Sequence, residues 1–341
     1  MFYLFGKNPK TGKIQGPKGT GVFVSRPASA DLQPFSPHIY AVTARHVVES
    51  GASIIRINAI NYDPTPGTRH LTHRLIEYEP HEWQFINDGD DIAAIDITEE
   101  YHRGIIDNKE DIFHGVNESD FVTREFIGEA LVRIGEDAFM LGLFTGNPGK
   151  NANHPAARFG NISQLAPYAD IVKQGHGISR PSHVFDMHSR PGYSGSPVFA
   201  YRTPNTDLSH FTDGRSARVA DTRRPHGTFL RLLGIHSGQF IERMRAEKAE
   251  ADAIVSGDKL AVQSSMTIVS PAWNISTLLD IPYFREIREM REKKAKKDGA
   301  PTVQAEVVQA DTADDANPQH REDFTRLLNA AVKSRKTDDQ T

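Results

Sequence analysis

The chain has 341 residues, 38% of them hydrophobic and 25% charged, the balance of a soluble globular protein long enough to bury a sizeable core. Its formal net charge of -4 supplies no basic field that would point to nucleic acid. With no cysteine, disulfides, thiol catalysis and thiolate metal sites are excluded, and no stretch reaches the ~18 apolar residues of a membrane span.

Residues 1–19 are rich in Gly, Lys and Pro and read as surface. Their apolar part is too short for a signal peptide, so a cytoplasmic location is the expectation. Gly19-Thr20-Gly21 opens the first strand candidate, Val22-Phe23-Val24. A second strand runs from Ile39 to Ala44 and ends at Arg45-His46-Val47-Val48, and Ser53 to Ile57 is a further β-rich run. His70 and His73 have no nearby carboxylate or thiolate in a ligand pattern, so neither a metal nor a cofactor is expected. Asn87 to Asp91 is a turn cluster that leads into Ile92-Ala93-Ala94-Ile95, short enough for a buried strand. Residues 98–128 are charged and helix-like and read as the connection between two halves.

From Ala130 the β pattern returns, with strand candidates at Phe139–Phe144, Arg158–Ile162 and His183–Met187. Gly192-Tyr193-Ser194-Gly195-Ser196-Pro197 follows, then the apolar run Val198 to Tyr201. Phe229 to Gly238 is a long strand, residues 240–255 look helical, Met266 to Ser270 is a last strand, and Ile275 to Leu279 a short helix. Lys, Arg and Glu at helical spacing over 285–297 read as a solvated helix face. Residues 298–318 lack a core pattern and read as a linker, before a short amphipathic helix marked by Phe324, Leu327, Leu328 and Val332. Short strands in two clusters predict an all-β fold of two antiparallel β-barrels, over 1–115 and 116–283. A charged, helical and partly disordered tail over 284–341 is left as a possible surface for a protein partner. No nucleic-acid or membrane partner is expected.

Ser194 stands between two glycines, on a turn that can hold a hydroxyl outward and aim backbone N–H groups at one point. The same residues also suit an ordinary β-turn. A serine hydroxyl is a weak nucleophile until a base takes its proton, and a carboxylate then fixes the tautomer of that base. The chain offers His46 after a strand, Asp91 before a strand and Ser194 on the turn. Asp88 and Asp90 compete with Asp91, which is preferred because it abuts the apolar run.

This order and these contexts resemble the chymotrypsin-like (trypsin-like) serine peptidases over about residues 19–280. Val42-Thr43-Ala44-Arg45-His46 looks like the histidine motif of that family, Asp91-Ile92-Ala93 like its aspartate motif, and Gly192 to Pro197 like its serine motif. The resemblance implies two six-stranded antiparallel barrels with the site in the cleft between them, and a polypeptide substrate. It implies Ser194 as nucleophile, His46 as general base then acid, Asp91 as orienting carboxylate, and the N–H groups of Gly192 and Ser194 as oxyanion hole. Val47 replaces a disulfide-forming cysteine, and Tyr193 replaces the aspartate that in trypsin pairs with a newly cleaved N-terminus. Both departures resemble intracellular and bacterial members.

Trypsin has an aspartate six residues before its serine, where this chain has His188. Gly234-Ile235-His236 resembles the Gly-Ile-His of glutamyl endopeptidases and picornaviral chymotrypsin-like proteases, in which the histidine contacts a Glu or Gln side chain. Ser189 takes the place of a threonine hydroxyl in that pocket, and Ser237 follows His236. Such donors favour a carboxylate or amide. His236 alternatively reads as a core histidine on its strand. A catalytically silent relative that binds peptides in the same cleft is the competing function, and nucleic-acid or scaffold binding through 285–297 a third.

Overall fold

The computed structural model describes residues 1–29, 37–62, 69–106, 110–111, 115–166, 168, 171–202, 229–245 and 259–297. The first half holds strands β1 (Phe2–Lys7), β2 (Ile14–Arg26), β3 (His38–Thr43), β4 (Ala52–Tyr62), β5 (Arg69–Glu77), β6 (Ala93–Asp96), β7 (Glu110–Asp111) and β8 (Val116–Asn117). Helices α1 (Arg45–Glu49), α2 (Thr98–Ile106) and α3 (Arg124–Gly128) interrupt or follow them. The second half holds β9 (Asp137–Leu143), β10 (Pro155–Gln164), β11 (Ile171–Lys173), β12 (Ser179–Pro181), β13 (His183–Asp186), β14 (Pro197–Arg202), β15 (Phe229–Arg245) and β16 (Lys259–Pro271). Two helices, α4 (Ala272–Leu279) and α5 (Pro282–Lys297), complete the described chain.

The first half is an eight-stranded sheet in the order β5-β4-β1-β2-β3-β6, with β7 on β4 and β8 parallel to β2. The second half closes an antiparallel barrel, β10-β13-β16-β15-β14-β9, with β11 and β12 apart as a two-stranded sheet. Closure, expected of both halves, is seen in the second. Among the described residues no ladder joins β6 back to β5. β6 is only four residues long, and its free edge takes one bridge, Gln84 to Ala94, before the chain turns into α2.

Residues 1–19, expected on the surface, instead supply β1, paired with β2 on one side and β4 on the other. Phe2, Tyr3 and Leu4 are fully buried. The Gly, Lys and Pro that suggested a surface segment fall mostly after β1. Residues 240–245, expected to be helical, continue β15, where Arg243 pairs with Ala261 and Arg245 with Lys259. Ladder pairing overrides the helix propensity of Glu, Met and Arg there. The expected linker over 298–318 and the helix after it lie outside the described residues.

Period-two alternation explains how β2 serves two cores at once. Phe23 joins Phe2, Leu4 and Ile55 inside the first half. Val22 and Val24 face the other way and join Tyr40, Val42, Phe199, Leu232 and Ile235, a cluster drawn from both halves. Ile275, Leu279 and Phe284 of α4 and α5 complete that cluster, with the Phe284 ring edge-on to Tyr40 at 5.3 Å. Burying a phenylalanine side chain in this way stabilises by about 1.5–3 kcal/mol. The basic stretch is partly an anchor rather than a wholly solvated face. Arg288 donates to the Leu279 carbonyl and to Tyr40 Oη, and Arg291 pairs with Asp96. Among the described residues no helix is long and apolar enough to cross a membrane.

Thr20 ties the halves by polar contacts. Its hydroxyl donates to the Gly192 carbonyl (2.9 Å) and accepts the Leu143 N–H (2.9 Å), while its N–H donates to the Ser194 carbonyl (2.8 Å). Thr20→Val leaves two buried backbone groups unpaired, so the expected loss is about 2–4 kcal/mol, read as a lower urea midpoint with an unchanged slope.

His183 and His236 are buried with no charged partner, and burial pushes them down from 6.5 to about 3 and about 4. Their share of the stability is complete above pH 6.5. Below it the unfolded chain binds protons that the folded chain refuses, so stability falls as the pH drops toward 4. Each group removes about 2 kcal/mol by pH 5. His183 Nδ1 accepts the Ala166 N–H at 3.0 Å, a role a glutamine oxygen can take. His183→Gln should therefore lose about 2 kcal/mol less than wild type between pH 7 and pH 5, measured by urea unfolding at both.

Candidate active site

His46 is presented by the shortest of sequence devices. The buried strand β3 ends at Thr43, and α1 opens at Arg45, anchored by buried Val47 and Val48. This places the His46 side chain, 27% exposed, at the seam between the halves. Its ring Nδ1 donates to Asp91 Oδ2 at 2.6 Å, and its backbone N–H donates to Asp91 Oδ1 at 2.9 Å. Because a carboxylate can only accept, Nδ1 carries the proton, and in the neutral ring Nε2 is left with the lone pair.

Asp91 is fully buried, at the point where the turn cluster enters β6. Its own N–H donates to Gln174 Oε1 at 2.6 Å. Asp88 is exposed. The Asp90 carboxylate turns away and accepts from Asn274 Nδ2, and burial holds its carboxyl above the usual range despite that bond and one to Gln174. The three aspartates are therefore distinguished by what they face. Asp91 alone of them is bonded to His46.

Ser194 lies between β13 and β14 on a turn held by positive backbone angles, φ +100° at Gly192 and +81° at Gly195. A Cβ at Gly195 would collide with the Thr20 carbonyl and Thr43 Oγ1 and come within 3.0 Å of the Ala44 nitrogen, so the turn packs on the end of β3 just before His46. The turn is braced by Gly195 N–H to the His236 carbonyl, His236 N–H to the Ser196 carbonyl, and Thr20 N–H to the Ser194 carbonyl. Tyr193 is buried beneath it. Among the described residues the N–H groups of Gly192 and Ser194 reach no protein acceptor, and no hydrogen bond joins Ser194 Oγ to His46.

Of the expected pocket residues, His236 and Ser189 are buried, Ser237 is fully buried with its hydroxyl 3.5 Å from the Ile268 carbonyl, and His188 is exposed. Among the described residues neither ring nitrogen of His236 finds a hydrogen-bond partner. Its depressed proton affinity comes first from burial, with His46 close enough to add repulsion and Asp91 close enough to oppose it. A cavity of about 370 Å³ lies elsewhere, behind Asp90, lined by residues such as Ile86, Arg124, Arg180, Trp273 and Asn274.

Four residues that touch this constellation or the turn leading into Asp91 were not singled out by the sequence. Thr20 sits in a plain strand opening, Gln174 and His176 in a polar hairpin, and Asn274 in a short helix. Only their long-range partners mark them out.

The stretch 19–203, more than half of the chain, matches the family model described as trypsin-like peptidase domain. No curated protein matches at a significant level. Among solved structures, the chain is similar to the active form of the Rv3671c protease from M. tuberculosis, with a TM-score of 0.33 and 15% identity over 82% of this chain and 78% of that one. It is also similar to an inactive mutant form of Rv3671c from M. tuberculosis H37Rv, with a TM-score of 0.33 and 14% identity over 76% and 79%. The family match opens within β2 and ends just after β14, so it takes in His46, Asp91 and Ser194 together: the chain belongs to the trypsin-like peptidase domain family.

Proposed function

We propose that the protein is a serine endopeptidase working through Ser194, His46 and Asp91. The observation that carries this is the fully buried Asp91 carboxylate bonded twice to His46, which leaves the lone pair on Nε2, while the turn bearing Ser194 packs on the chain just before His46. In this reading Ser194 Oγ attacks the scissile carbonyl carbon as His46 Nε2 takes its proton. The carbonyl oxygen becomes an oxyanion held by the Gly192 and Ser194 N–H groups, which have no acceptor among the described protein atoms. His46 then returns the proton to the leaving amine, and an acyl-enzyme remains on Ser194. Water, deprotonated by His46, attacks that ester; the oxyanion collapses, the proton returns to Ser194, and the acid product departs. Asp91 holds the tautomer and offsets the imidazolium charge in each half.

The pocket reading rests on His236. A fully buried imidazole with both nitrogens unpartnered is costly unless something supplies partners. At about 4 it is neutral at working pH, with one donor and one acceptor. That pair matches a glutamine carboxamide, and its donor alone matches a glutamate carboxylate. A polypeptide cut after Gln or Glu is therefore the proposed substrate. The missing bond between Ser194 Oγ and His46 is the one observation that favours a silent peptide-binding module instead, although such bonds often tighten only with substrate present.

A fluorophosphonate probe separates the two readings. The peptidase reading expects labelling of the wild type and none of Ser194→Ala, with His46→Ala losing nearly as much and the double variant no worse than either single one. An unlabelled wild type would leave the silent binder standing.

Selectivity is read from a peptide library. Cleavage should dominate after Gln or Glu, and His236→Ala should lower kcat/KM on those substrates by about 5- to 150-fold, the loss of a buried hydrogen bond worth about 1–3 kcal/mol. Cleavage after an apolar residue should change far less. Dominant cleavage after Arg, Lys or a large aromatic residue would make His236 a structural histidine.

A further inference from the structure

The hairpin between β11 and β12 folds over the His46–Asp91 pair. It is held by Gln174 N–H to the Ile178 carbonyl (3.0 Å) and Gly177 N–H to the Gln174 carbonyl (2.9 Å). Gln174 Oε1 takes the Asp91 N–H, and Gln174 Nε2 donates to Ser182 Oγ at 2.9 Å. Gly175 packs so tightly that a Cβ there would come within 2.5 Å of His46 Nδ1. The next residue, His176, turns its side chain inward until only 2% of it is exposed.

His176 Nε2 lies 3.2 Å from the Gly89 carbonyl, and Nδ1 lies 3.7 Å from Asp91 Oδ1 with no other partner. A carbonyl oxygen can only accept, so Nε2 carries a proton and donates it. One imidazole thus touches the turn cluster at two points. It tethers the backbone two residues before Asp91, and it lays its Nδ1 edge over the oxygen that also receives the His46 N–H. The Asp91 carboxylate consequently sits between two histidines.

We infer that His176 is a positioning residue for Asp91. This role deepens the peptidase reading and rests on it. Among the described residues the His176 ring makes its one hydrogen bond to Gly89, and its one close carboxylate is Asp91. It acts by fixing where the Asp91 oxygens lie, and through them the tautomer and tilt of His46. The requirement is steep, because misplacing a catalytic group by about 1 Å costs roughly 100-fold in rate. The sequence GHG, two glycines around the histidine, suits the task, since it lets the backbone pass close to His46 while the ring turns inward.

Two variants of the full chain separate the tether from the rest of the ring. His176→Ala removes both contacts. His176→Gln keeps an N–H that can reach the Gly89 carbonyl. His176→Ala should lower kcat by about 10- to 100-fold with KM within about 3-fold, and His176→Gln should recover most of that loss. The low-field proton resonance of His46 Nδ1–H, bonded to Asp91, gives a second readout that needs no substrate. It should weaken or shift in His176→Ala and return in His176→Gln. A His176→Ala protein with kcat within about 2-fold of wild type and an unchanged resonance would overturn the assignment. So would a His176→Gln protein no better than His176→Ala. If the wild type fails to label with fluorophosphonate, the peptidase reading falls, and the resonance alone still decides whether His176 positions His46 on Asp91. If His176→Ala does not fold, the comparison of His176→Gln with wild type carries the test, and a loss of kcat and resonance in that folded protein would overturn the tether.

Discussion

The structure depends on a bonding knot at Thr20. This one buried residue uses its N–H, its carbonyl and its hydroxyl to reach Ser194, Thr43, Gly192 and Leu143. Two of those partners belong to the turn that bears the candidate nucleophile, one to the barrel wall, and one to the strand that leads to His46. The apolar cluster shared by the halves brings them together but is directionless, as burial of oil against oil must be. Hydrogen bonds at fixed lengths supply what burial lacks, a single register between β3 and the turn at Ser194. Thr43 Oγ1, donating to the Thr20 carbonyl at 2.6 Å, extends this register to within three residues of His46.

What was legible in the sequence follows from range. Strands such as β2, β3, β6, β9 and β13 announce themselves through short apolar runs, since each buries residues from a local stretch. His46, Asp91 and Ser194 were legible because each sits at a strand boundary beside small or turn-forming residues. The role of β1 was hidden. Only six residues long, it is an interior strand because β2 and β4 lie on either side of it, and neither neighbour can be read from Phe2 to Lys7. That no ladder among the described residues joins β6 to β5 was hidden for the same reason, since closure is a property of two distant edges. Residues 240–245 misled because local propensity favours a helix there while pairing with β16 supplies the competing hydrogen bonds.

The residues around Asp91 show the limit most clearly. Gln174 is 83 positions away from it in sequence, and Asn274 is 184 away from Asp90. No spacing rule links such pairs. Their polarity looked like ordinary loop and helix composition, and their meaning appears only when burial shows what a polar group in that place requires. A buried carboxylate must be surrounded by donors, and a carboxylate that must also face one histidine needs its remaining oxygen and backbone held by others. The His46 N–H holds the remaining oxygen, Gln174 holds the Asp91 backbone, and His176 and Asn274 hold Gly89 and Asp90 in the turn before it.

Two of the site's histidines then divide the work by environment alone. His46 is part-exposed and carries a carboxylate on Nδ1, so a proton arriving at Nε2 creates a cation that is already matched. His236, a short distance away, is buried with no acid of its own and is held neutral to about 4. In the proposed reading the same side chain is thus a base at one position and a fixed dipole at the other. The repulsion of His46 on His236 works in the direction that keeps the roles apart, because each proton accepted by His46 makes charge on His236 more costly. In the proposed reading His236 is a pocket wall that stays neutral while His46 cycles protons, as selection of an uncharged or singly bonded substrate side chain requires. The backbone bonds from His236 to Gly195 and Ser196 keep that wall and the candidate nucleophile on one rigid piece of the barrel.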